Sequence, residues 1–271
     1  MGARWPRSKL PGWPRGRTGQ AIFTLALLSC VATACSTNNR TSSSTASSPP
    51  SRTITALGDS VPRGANCDCS PYPQLSADGL TASTGETVTA HNDAVSGGTT
   101  SSVLRQVESD SKVIDHLRAA DTVEIEVGAN DAAYSRSCGT DAACYAPRLP
   151  ALGKNLATIV TRVHELAAPH KVLVVLLDYW SVWLGGQYAA AQGEAYVAAA
   201  EQVTDEVNTI IKETAARDGS AYVDLRAAFK GPNYAYDETH YLSNDGDHPN
   251  AAGHKQIAAA TEAVIEHALH I

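Results

Sequence analysis

The side chains able to do chemistry fall into four short polar clusters. They are Gly58-Asp59-Ser60, which bends onward through Pro62 and Gly64; Asn92-Asp93-Ala94-Val95-Ser96-Gly97-Gly98; Gly128-Ala129-Asn130-Asp131; and Asp245-Gly246-Asp247-His248-Pro249. A serine hydroxyl is a weak nucleophile unless a neighbouring base accepts its proton, and that base works best when a carboxylate orients it. Ser60 is the candidate nucleophile and His248 the candidate base. Asp245, three residues earlier, can reach the other imidazole nitrogen from the same turn. Asp247 competes for that place, but a side chain adjacent to the histidine usually points away from it. An oxyanion also needs donors, which the backbone N–H groups of Ser60 and Gly97 and the side-chain amide of Asn130 could supply.

Each cluster has a plainer reading. Ser60 taken alone is a cap or turn serine. Asn130 and Asp131 could end a strand and cap a helix, with Asp131 tying neighbouring loops, and Gly97 could simply permit a tight turn. Ser96 sits in a variant of the G-x-S-x-G nucleophile elbow, but that reading leaves Gly58-Asp59-Ser60 and Asn130 without roles. His240 and His254 read as surface or structural histidines. The acidic run from Asp237 to Asp247 lacks the spaced ligands and final glutamate of a calcium loop, so no metal is expected.

The clusters gain meaning from the elements between them. Apolar, β-prone runs occur at 53–57, 87–91, 122–127, 171–177 and 220–223, and segments with helical spacing at 99–119, 148–167, 193–217 and 250–270. Alternation of this kind predicts a parallel sheet covered on both faces. Lys171 to Leu177 is nearly all apolar, as a strand buried on both faces should be. Ligands of such sheets bind outside the carboxyl ends of the strands. Three clusters follow predicted strands and the fourth precedes the last helix, so all four should meet at one edge.

In type and order, Gly58-Asp59-Ser60 with Gly64, Asn92 with Gly97, Gly128-Ala129-Asn130-Asp131 and Asp245-Gly246-Asp247-His248-Pro249 resemble the four sequence blocks of the SGNH, or GDSL-type, hydrolases. The resemblance spans residues 52–271. It implies a flavodoxin-like three-layer α/β/α sandwich around a five-stranded parallel sheet. It also implies a serine esterase or lipase with Ser60 as nucleophile, His248 as general base and acid, Asp245 as its orienting carboxylate, and Ser60, Gly97 and Asn130 forming the oxyanion hole. No metal or organic cofactor is implied. Alternatives are an O-deacetylase or acyltransferase of cell-envelope polysaccharide and, from another class, a non-catalytic surface binding module on the same fold. The aromatics of Asp178 to Tyr188, namely Tyr179, Trp180, Trp183 and Tyr188, could line an acyl or alcohol pocket or only cover the sheet edge.

The 271 residues, 43% of them hydrophobic, suffice for one substantial core. Residues 1–34 carry only basic charge, from Arg4 to Arg17, followed by an apolar stretch from Ala21 to Ala34 that is short for a membrane span; this reads as a secretion signal. Ala32-Thr33-Ala34 before Cys35 resembles a bacterial lipobox, with Leu27 to Cys30 as a competing match, so Cys35 is a candidate lipidation site. Residues 35–51 form a Ser/Thr-rich tether closed by two prolines, and 52–271 the catalytic domain. The expected protein is therefore an exported bacterial monomer, either a surface lipoprotein tethered to the membrane or a freely secreted form. Its expected substrate is a small-molecule, lipid or glycan ester. Loss of the signal removes five basic residues and no acidic one, leaving a net charge of about −12, a poor match to nucleic acid. Export makes disulfides the natural use of Cys67, Cys69, Cys138 and Cys144. Cys138 with Cys144 is favoured by the short loop between them; Cys67 and Cys69 pair with each other or across loops.

Overall fold

The structure, a computed structural model, describes residues 51–271. The expected signal segment, the tether up to its last residue, and both candidate lipidation cysteines lie outside these residues. Five strands form one sheet: β1 (Ser51–Gly58), β2 (Thr87–Asn92), β3 (Thr122–Glu126), β4 (Leu173–Leu177) and β5 (Ala221–Val223). Every neighbouring pair is parallel and the order is β2-β1-β3-β4-β5. The chain thus runs outward from β1 to β2, then crosses back to β3 on the other side. The carboxyl ends of β1 and β3 flank the point where the strand order reverses, which is where crevices open in such sheets.

Nine helices lie among the described residues: α1 (Ser60–Arg63), α2 (Tyr72–Thr84), α3 (Thr100–Ser109), α4 (Ser111–Ala119), α5 (Leu149–Ala167), α6 (Gly186–Ala190), α7 (Glu194–Asp218), α8 (Leu225–Lys230) and α9 (Ala251–Leu269). Helices α2 and α8 pack on α9, whereas α3, α4 and α7 pack on α5, giving a layer on each side of the sheet. The parallel sheet covered on both faces, expected from the alternating pattern, and the three-layer α/β/α sandwich implied by the family resemblance are the fold. None of these helices is long and apolar enough to cross a membrane.

Two features depart from the periodicity. The segment 99–119 is two helices, because Asp110 ends α3 and its carboxylate accepts the Lys112 and Val113 N–H groups to begin α4. Helix α2 has no counterpart in the apolar pattern. Its buried face is Tyr72, Pro73, Ser76, Ala77 and Leu80, helical in spacing but small or polar in type. The small residues let α2 press on α9: a Cβ at Gly79 would run into the Glu262 carboxylate.

The centre of the sheet is not purely apolar. Glu124 and Glu126 of β3 are fully buried, and burial raises both carboxyls well above their usual range, with Glu262 adding to the effect on Glu124 and Asp59 to that on Glu126. A carboxyl raised in the folded state holds its proton where the unfolded chain has released it. Stability is therefore present at low pH and is lost as pH rises above the ordinary carboxyl range, by at most about 1.4 kcal/mol per pH unit for each group. Glu124→Gln removes that slope at almost constant shape. Its melting temperature should exceed the wild type's by more at pH 8 than at pH 5, at about 2–4 °C per kcal/mol. An equal gain at both pH values in calorimetry would show that Glu124 is ionised in the fold.

Candidate active site

Strand β1 ends in a turn that only glycine permits. Gly58 has φ of 146°, and a Cβ there would run into the Glu126 carbonyl and come within 2.9 Å of Pro62 Cγ. Asp59 follows as the cap of α1. One carboxylate oxygen accepts the Val61 N–H at 3.0 Å and the other the Tyr179 hydroxyl at 2.6 Å. Asp59 is only 1% exposed, and this burial pushes its carboxyl up to about 6 despite the two hydrogen bonds that favour the anion. Ser60, half-buried, is the first residue of α1 and stands at the carboxyl end of β1.

The second and third clusters are tied to this turn. Asn92 donates its amide to the Pro62 carbonyl at 2.6 Å and accepts the Ala94 N–H at 3.2 Å. The Val95 N–H donates to the Gly58 carbonyl at 3.0 Å. A Cβ on Gly98 would lie 2.8 Å from the Gly58 carbonyl and 3.4 Å from the Asp59 Cα, so the loop rests directly against the serine turn. Gly97, with φ of 77°, is exposed at its crest. Asn130 donates one amide hydrogen to the Gly98 carbonyl at 3.0 Å, which fixes its head group and leaves its second hydrogen free to face the crevice. Asp131 turns the other way, accepting the Thr100 N–H at 2.9 Å and hydroxyl at 2.5 Å at the start of α3. It ties loops together, as its plainer reading had it.

The fourth cluster is a tight turn organised by one carboxylate. Asp245 Oδ1 accepts the N–H groups of Asp247 at 3.0 Å and His248 at 3.1 Å, while Oδ2 accepts His248 Nδ1–H at 2.7 Å. Asp247 Oδ2 is 4.0 Å from the same nitrogen, so the three-residue spacing provides the partner. Partial burial would raise the Asp245 carboxyl, but the two amides, Asn66 and His248 together hold it down at about 2. Asn250 caps α9 just beyond, accepting the Ala252 and Gly253 N–H groups at 2.8 and 3.1 Å. His254, inside α9, accepts the Tyr72 N–H at 3.3 Å, and burial depresses it to about 4, so it is a neutral core histidine. His240 is exposed beside the Tyr241 ring.

A cavity of about 420 Å³ opens between these loops, with Ser60, Asn130, Asp247 and His248 on its wall. Tyr179, Trp180 and Trp183 line it too, so the aromatic loop after β4 does face the crevice. Trp183 is fixed by an N–H donated to the Ala132 carbonyl at 2.8 Å. Gly97 and Ser96 are exposed and not among the residues lining this cavity. Of the two readings open for Tyr188, lining or cover, the structure has it packed under Gly246, where a Cβ would strike its ring. Sequence reasoning missed Tyr134 and Tyr196, which complete the wall and meet Trp183 at ring-centroid distances of 5.1 and 5.4 Å. Tyr134 stands four residues past Asn130, a spacing that could have drawn it in. Disulfides join Cys67 to Cys69 and Cys138 to Cys144, the first immediately after Asn66.

The chain has counterparts among known protein families and solved structures. A family model described as GDSL-like lipase/acylhydrolase matches residues 56–256, from β1 into α9, and so spans all four clusters. No curated protein matches the chain. Among solved structures, a lipase from a goat rumen metagenome superposes with a TM-score of 0.65 at 22% identity, over 79% of this chain and 97% of its own. A lipase/acylhydrolase from Enterococcus faecalis gives 0.57 at 21% identity, over 80% and 96%. An acetylxylan esterase from Geobacillus stearothermophilus gives 0.59 at 20% identity, over 80% and 95%. At these identities the structural likeness is one of fold, and it is the family model that reaches the clusters themselves. The chain belongs to the GDSL-like lipase/acylhydrolase family.

Proposed function

We propose that this protein is a serine esterase that cleaves carboxylic esters through an acyl-enzyme on Ser60. The observation that carries the reading is the shared cavity wall of Ser60 and His248, with the imidazole's far nitrogen bonded to Asp245 at 2.7 Å. His248 Nε2 takes the Ser60 proton as the hydroxyl attacks the ester carbonyl, and Asp245 stabilises the imidazolium that forms. The tetrahedral oxyanion draws on the Ser60 N–H and the Asn130 amide, with Gly97 as a donor that its exposed loop would have to bring inward. Collapse expels the alcohol, protonated by His248, and leaves the acyl group on Ser60. Water activated by the same histidine then releases the acid. Because the Asp245 carboxyl lies at about 2, it stays ionised throughout the range in which an imidazole can act as base.

A second reading, removal of acetyl groups from an envelope polysaccharide, is favoured by the cavity rim. Tyr134 is 44% exposed there and stands edge-on to Trp183, and an exposed aromatic face suits a sugar ring. The similar acetylxylan esterase is compatible with it. The protein is further proposed to be exported and tethered through an acylated Cys35, on the strength of the basic and apolar leader and the Ser/Thr-rich segment after it.

Ser60→Ala should lower kcat for p-nitrophenyl acetate on the order of 10⁴-fold or more with an unchanged circular dichroism spectrum. Fluorophosphonate labelling should map to Ser60, and labelling at Ser96 or none at all would overturn the assignment. Asp245→Asn should lower kcat on the order of 10⁴-fold, while Asp247→Asn changes it less than about tenfold; the reverse ranking would transfer the orienting role to Asp247. In detergent phase separation, the full-length protein should enter the detergent phase and Cys35→Ser the aqueous phase. Identical partition of both would exclude the anchor.

A further inference from the structure

The loop joining α1 to α2 touches the Asp245–His248 pair. Asn66 in this loop has φ of 58°, a left-handed conformation that asparagine tolerates better than most residues. Its Nδ2 lies 2.5 Å from Asp245 Oδ2 and 3.3 Å from His248 Nδ1. Since Nδ1–H already points at Oδ2 across 2.7 Å, the two nitrogens are donors converging on one oxygen. The loop is fastened to the same turn a second time, because the Ser243 hydroxyl donates to the Asn66 carbonyl at 3.1 Å. Directly after Asn66, the Cys67–Cys69 disulfide closes a ring around Asp68, itself left-handed at φ of 51°. The two bonds tie the exposed Asn66 to the turn, and the disulfide closes the loop beside it.

We propose that Asn66 is a positioning residue for the catalytic pair, fixing the Asp245 carboxylate toward His248 and sharing its charge, with the Cys67–Cys69 ring holding the loop that presents it. The inference rests on the reading of Ser60, His248 and Asp245 given above. An amide donor stabilises a carboxylate in its charged form. The charge it draws is then less available to the imidazolium on the other side of Oδ2. The charged or titratable groups facing His248 are Asp245, Asp247 at 4.0 Å, the buried Asp59 and the neutral His254. Asn66 is an uncharged group among them and acts at the nearest. Removing its amide leaves Asp245 a stronger partner for the protonated imidazole, so the neutral base appears only at higher pH. An aspartate at position 66 adds a negative charge and displaces that point further in the same direction.

The test uses full-length protein, with p-nitrophenyl acetate as substrate and the downfield proton resonance of His248 Nδ1–H as a readout independent of turnover. Asn66→Ala should lower kcat on the order of tenfold with KM within twofold. The acid limb of kcat/KM should move to higher pH in Asn66→Ala and further in Asn66→Asp, and the Nδ1–H resonance should shift in both. A Cys67→Ser, Cys69→Ser double variant should lower kcat in the same direction as Asn66→Ala. Unmoved acid limbs and an unmoved resonance in both Asn66 variants would overturn the proposal, even if kcat fell through a general loosening of the loop. Unchanged kcat in the cysteine double variant would remove the disulfide from it. If the wild type neither turns over esters nor labels at Ser60, the esterase reading fails; a shifted resonance in Asn66→Ala would still uphold the contact with the pair.

Discussion

The whole site hangs on how closely β1 and β3 approach at Gly58. The Glu126 carbonyl occupies the space a side chain would need there, and the same carbonyl accepts the Asp59 N–H at 3.2 Å. That contact brings the turn after β1 against the end of β3. The second loop rests on the Gly58 carbonyl and Asn130 bonds to that loop, so one steric condition aligns three of the four clusters. Only the fourth arrives independently, carried by α9 and the turn before it.

Two kinds of carboxyl lie in the site and in the core beneath it, and environment alone distinguishes them. Asp245, partly exposed and met by four donors, is held as an anion. Asp59, Glu124 and Glu126 are sealed in the core, where burial holds them toward the neutral form. Asp59 is the intermediate case, because Tyr179 and the Val61 amide support its charge while its surroundings oppose it. Ser60 therefore stands near an acid that stays ionised and next to one that is half inclined not to be. Net negative charge near Ser60 is smaller than the count of acidic residues suggests.

Much of this was legible in the residues. Strands rich in Val, Ile and Leu were found because burial on both faces demands such side chains, and the chemistry-bearing clusters stood where a parallel sheet would use them. Helix α2 escaped because its buried face is built from Ser, Ala, Pro and Tyr, chosen for close approach to α9 rather than for apolarity. The division at Asp110 escaped because one residue serves two helices, which hydrophobic spacing does not register. Chain geometry favoured Asp245 over Asp247 as the residue facing His248, and the two are bonded at 2.7 Å. Tyr196 and Asn66 were invisible as site residues, since each reaches the cavity or the pair through tertiary packing, and Tyr134 carried only its nearness to Asn130 as a signal. Gly97 was placed in the right loop, but the loop's crest stands away from the cavity wall.

The bond between Asn66 and Asp245 spans 179 positions in the chain, and that between Tyr72 and His254 spans 182. The early loop and helix around α2 are thus neighbours of the last helix, contacts of long sequence separation that raise the contact order of the fold. Ser60 and His248 stand 188 positions apart in the sequence, so the pairing on which the proposed chemistry depends exists only once the last helix and the turn before it have docked on the rest of the domain.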